Sequence, residues 1–61
     1  MTTLDSKTIE AVIAKLEKRL ERQNKQAQRW FNEGNDTMWQ WYQSRATELE
    51  FAINDIREMA A

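Results

Sequence analysis

Trp30-Phe31-Asn32-Glu33-Gly34-Asn35-Asp36-Thr37-Met38-Trp39-Gln40-Trp41-Tyr42 contains the only glycine of this 61-residue chain and five of its six aromatic residues. It separates two segments that each carry a helical repeat of apolar residues, and so reads as the turn of an αα-hairpin. Gly34 fits the left-handed position that ends a helix, because a residue without Cβ enters that conformation at no steric cost. Thr37 and Gln40 then match a capping box, each satisfying an orphan backbone donor of the other, with Asp36 as a competing N-cap. The pattern predicts a first helix over about 6–33, a turn at 34–36 and a second helix over about 37–60.

Upstream of the turn, Asp5 is placed to cap the first helix, and Leu4 with Ile9 to form a hydrophobic staple across that cap. Ile9, Ile13, Leu16, Leu20, Gln23, Ala27 and Trp30 follow at alternating steps of four and three, a period that keeps them along one seam. Gln23 is the one polar member, and an internal polar seam residue fixes register more often than it performs chemistry. Downstream, Trp39, Tyr42, Ala46, Leu49, Ile53, Ile56 and Ala60 repeat the same steps. Folded antiparallel, the seams set small residues against large ones at Ala27/Tyr42 and Gln23/Ala46, as close packing prefers. On one flank Glu10 comes opposite Arg57, an expected ion pair, and Glu17 comes opposite Glu50, a like-charge contact.

The second helix is apolar over too wide an arc for one partner. Met38, Trp41, Ala52 and Met59 add an edge that widens its seam to about 160°, more than a two-helix contact needs. The expected architecture is therefore an all-α, antiparallel two-helix hairpin that dimerises into a four-helix bundle, joined through that edge and through Val12 of the first helix. Chain length points the same way. So short a chain buries too little surface to be comfortably stable alone, and with no Cys and no His neither disulfides nor the usual zinc sites are open to it.

Lys15, Lys18, Arg22, Lys25 and Arg29 form a basic stripe on the side of the first helix away from its seam, with Glu21 placed to pair with Lys25 and Lys18. Seven Lys/Arg stand against five Asp/Glu through residue 33, and two against five after it. The first helix is basic and the second acidic, which helps the hairpin close. The stripe is either a solvated face or a surface for phosphates or an acidic partner. Phe51, set among Glu48, Asp55 and Glu58, is either a lone exposed aromatic or a contact point for another protein. The aromatic turn is either a plug for the open end of the hairpin or, with Arg29 and Arg45, a platform for stacking a base.

Catalysis has little to stand on: imidazole and thiol are missing, one glycine makes no phosphate loop, and the carboxylates line solvated faces. The dimetal bundle motif Glu-x-x-His cannot be built without His. Asn35-Asp36-Thr37 fits a glycosylation pattern, but turn and cap preferences explain it better. The apolar runs are too short for a membrane span, and the N-terminus lacks an export pattern, so a cytoplasmic location is expected.

The run Trp30-Phe31-x-x-Gly34-Asn35-x-x-x-Trp39-x-x-Tyr42-x-x-x-Ala46-x-x-Leu49-Glu50-Phe51-Ala52-Ile53 resembles small, mostly uncharacterised accessory proteins of bacteriophages and prophages that fold as helical hairpins. That resemblance implies a protein that occupies a host protein or sequesters a ligand. In overall design the chain is also similar to the plasmid RNA-binding hairpin dimers, sharing length and two heptad helices.

The function expected is a non-enzymatic protein-interaction module, an oligomeric inhibitor or adaptor acting on a host protein, with no cofactor. Its partner-binding residues would be Lys15, Lys18, Arg22, Lys25, Arg29, Trp41 and Phe51, and its oligomer interface Val12, Met38, Trp41, Ala52 and Met59. The alternatives are an RNA-binding hairpin using the basic stripe and a nucleotide-sequestering protein using the aromatic turn. An acidic pI near 5.3 counts against the first.

Overall fold

The computed structural model describes residues 5–60, which form two α-helices packed against each other: α1, Ser6–Asn32, and α2, Asp36–Ala60. The hairpin is a slender rod of 49 × 15 × 14 Å.

Helix α1 begins after Asp5, its N-cap, whose own backbone is extended. Its carboxylate Oδ1 accepts from the Thr8 backbone N–H at 2.7 Å, which satisfies one of the donors a helix start leaves free. The Leu4–Ile9 staple lies outside the described residues. The far end closes in a Schellman arrangement: the Gly34 N–H donates to the Phe31 carbonyl at 3.1 Å and the Asn35 N–H to the Trp30 carbonyl at 2.9 Å. These two bonds require the chain to turn left-handed at the residue between them. Gly34 does so, with φ of 77°.

The cap of α2 differs from the one expected. Asn35 Oδ1 accepts from the Met38 backbone N–H at 3.0 Å, and the Asn35 carbonyl accepts the first helical bond, from Trp39 N–H, also at 3.0 Å. Asn35 is therefore the N-cap, in place of Thr37 or Asp36, and α2 starts at Asp36. The reason is geometric. The Schellman turn leaves Asn35 as the first residue out of the left-handed position, carrying a side-chain oxygen within reach of the next turn. Thr37 and Gln40 fall inside the helix and stay exposed.

The seams meet as the periodicities require. Ile13 and Ala27 of α1 and Ala46 and Ile53 of α2 are the buried core, with Ile9, Leu16, Leu20, Gln23, Trp30, Trp39, Tyr42, Leu49 and Ile56 half-buried around them. Ala60, placed on the seam by spacing, is exposed at the last position of α2. Two isoleucines and two alanines make a thin core. At about 1.5–3 kcal/mol for each fully buried isoleucine, they leave the hairpin dependent on its half-buried rows.

Among the described residues one ion pair crosses between the helices, and it is not Glu10 with Arg57: Arg57 Nη2 lies 3.6 Å from Glu17 Oε1. The long guanidinium stem reaches up the groove toward the hinge, past the position directly opposite. A cation thus stands beside Glu17, where spacing had set Glu50 against it.

Candidate interaction surfaces

The hairpin has two broad faces, each a groove flanked by both helices, and two narrow backs, each belonging to one helix. The face that holds the Arg57–Glu17 pair is polar. Among the groups on its flanks are Glu10, Glu17, Asn24 and Gln28 of α1 and Glu50 and Asn54 of α2, all exposed. Such a surface is stable against water as it stands.

The opposite face is different in kind. On α1 it carries Val12, Leu16, Arg19, Gln23, Gln26 and Trp30, and on α2 Met38, Trp41, Arg45, Glu48, Ala52 and Met59, each row stepping by threes, fours or sevens. In the middle these rows enclose a groove of about 420 Å³ lined by Arg19, Gln23, Arg45, Glu48, Leu49 and Ala52. At the open end Val12 and Met59 are exposed, and at the hinge end Trp41 is 51% exposed. Met38 and Ala52 are half-buried in the same rows. The five residues expected at an oligomer interface thus lie along one face.

Two polar atoms on this face have no hydrogen-bond partner among the described residues: Gln23 Oε1 and Trp30 Nε1, both screened from solvent. An orphaned buried polar atom costs about 1–3 kcal/mol. Both belong to the half of the molecule where apolar rings and arginines gather. The Arg45 guanidinium sits 4.7 Å above the Trp41 ring and the Arg29 guanidinium 5.4 Å from the Trp30 ring. Trp41 also meets Tyr42 edge-on at 4.7 Å, and Phe31 leans on Trp39 at 5.6 Å across the hinge.

These contacts bear on the nucleotide alternative. A base-stacking site needs open ring faces, yet one face of Trp41 and one of Trp30 are already occupied by the arginines that would have bound phosphate. Phe31, exposed beside its partner Trp39, and Arg45 were not singled out by spacing as partner-binding or interface residues. Arg45 was legible in principle, since it follows Trp41 by one helical turn.

The backs are charged. Lys15, Lys18, Arg22, Lys25 and Arg29 are all exposed along α1. Lys25 pairs with Glu21 at 3.4 Å and Arg29 with Glu33 at 3.7 Å, each pair well solvated. Lys15, Lys18 and Arg22 make no ion pair among the described residues, so the stripe keeps a net positive field. Phe51 is 64% exposed on the back of α2, beside the exposed acids Glu48, Asp55 and Glu58. The two backs point away from each other and carry opposite charge.

Among the described residues no helix is long and apolar enough to cross a membrane. Comparison with known protein families, characterised proteins and solved structures finds no match to this chain.

Proposed function

We propose that the protein is a non-enzymatic protein-interaction module that self-associates and acts as an inhibitor or adaptor on another protein. The observation that carries this reading is the row of exposed apolar side chains on a hairpin with so thin a core: Val12, Trp41 and Met59 on one face and Phe51 on the acidic back. A monomer that leaves such groups in water gains by covering them, and a second subunit is the cheapest cover.

Self-association covers the face and leaves both charged backs outside. The basic back of α1 then suits an acidic protein surface, and Phe51 supplies an apolar anchor on the other side.

Light scattering over a dilution series tests the first half: a dimer mass at low micromolar concentration supports the reading, and a monomer at high micromolar concentration overturns it. A pull-down comparing wild type with Arg22→Glu/Lys25→Glu and with Phe51→Ser tests the second. A partner retained by wild type and lost by one variant supports the assigned surface; a partner retained by all three removes it.

A further inference from the structure

Resting on the self-association proposed above, we infer that two copies pack groove face to groove face about a two-fold axis parallel to the helices. Both hinges then lie at the same end, and α1 of each copy lies on α2 of the other. Two closed arrangements are open to a pair of flat hairpins meeting on one face. An axis along the helices lays α1 on α2, whereas an axis across them lays α1 on α1 and α2 on α2 with the hinges at opposite ends.

Charge separates the two. Within one hairpin the groove sets Arg19 and Gln23 at the height of Arg45, Glu48 and Ala52. An axis along the helices preserves height, so Arg19 meets Glu48 of the second copy. The acidic second helix then covers the basic first helix twice over by symmetry. An axis across the helices instead sets Glu48 near Glu48 and places one basic helix on another.

The apolar ends match as well. Preserved height brings Val12 to Met59 of the second copy, and Trp30 to its Trp41 and Met38. A face 49 Å long and 15 Å wide offers on the order of 700 Å² per partner, the half-share of a standard-sized interface.

The test uses the full chain, which has no native cysteine. A spin label is placed on Thr37→Cys, at an exposed position beside the hinge, and the label separation is measured where light scattering gives a dimer. Separations within about 30 Å are expected, because neighbouring helices lie only about 10 Å apart. A separation near the 49 Å length of the rod overturns the arrangement while leaving self-association intact; a monomeric mass overturns self-association itself.

Arg19→Glu and Glu48→Arg, both exposed positions, should each raise the dimer dissociation constant by about tenfold, and the double swap should return it to within about threefold of wild type. Single variants that weaken the dimer with no recovery in the double swap overturn the Arg19–Glu48 pairing. Circular dichroism verifies folding of each variant, and should one unfold, the label separation decides alone.

Discussion

Arg57 Nη2 stands 3.6 Å from Glu17 Oε1, the one ion pair among the described residues that ties α1 to α2. Both side chains are more than half exposed, so solvent and salt screen the attraction. Arg57→Ala should therefore lower stability by no more than about 0.5 kcal/mol. The difference from wild type should vanish in molar salt, as read by urea denaturation at two ionic strengths. A loss that persists at high salt would mean that the Arg57 stem, which lines one cavity with Ile9 and Ile13, contributes through packing.

The cap of α2 gives a sharper comparison. Asn35→Ala removes the oxygen that accepts from Met38 N–H and should cost about 1 kcal/mol. Thr37→Ala, inside the helix, should be within about 0.5 kcal/mol of neutral. Thermal melts of the two variants side by side check the assignment, and a larger loss at Thr37 would return the cap to the capping box.

At Gly34 the issue is backbone conformation alone. A Cβ there meets nothing within 4 Å, so Gly34→Ala suffers only the penalty of a left-handed L-residue, about 1–2 kcal/mol. Gly34→Asn should cost less than Gly34→Ala, because asparagine tolerates that region better. Equal losses for the two would point to a contact instead of a torsional cause.

Asp5 makes the start of α1 sensitive to acid. The Thr8 backbone N–H that donates to it holds its carboxyl below the ordinary value of 3.8. The folded state thus binds fewer protons than the unfolded one in that range. The contribution is fully present above the ordinary value and is lost as pH falls through the lowered one. Asp5→Asn keeps a capping oxygen without the titration, so its melting temperature should fall less than that of wild type between pH 5 and pH 2.

Ile53 and Trp41 should separate folding from assembly. Ile53 is 3% exposed, and Ile53→Ala should cost about 2–4 kcal/mol, enough to unfold much of a domain this small. Trp41→Ser, half in solvent, should leave the helicity of a concentrated sample nearly unchanged while raising the concentration at which light scattering finds a dimer.

The hairpin was legible because three signals agreed at one place: two heptad rows, an aromatic break between them, and a lone glycine. Burial of Ile13, Ala27, Ala46 and Ile53 follows from those rows alone. The cap was misread because Asn35, Asp36 and Thr37 are all good capping residues; only the two hydrogen bonds of the turn decide which is first out of it. The Arg57 partner was misread for a related reason. Spacing fixes where a Cβ lies, but not where a long guanidinium stem comes to rest. The interaction surfaces were legible as faces, and the packing of Arg29 on the ring of its sequence neighbour Trp30 needed three dimensions.

The tight reversal at residues 33–35 also dictates an order of events. Side chains nearest the hinge are joined across the shortest stretch of chain, whereas Ile9 finds its neighbours beyond some fifty intervening residues, so loop-closure entropy rises steadily toward the termini. Closure of the rod should run like a zipper from the aromatic end, and reopening from the other. Amide exchange with deuterium should accordingly be slowest around Ala27 and Ala46 and fastest beside Ser6 and Ala60.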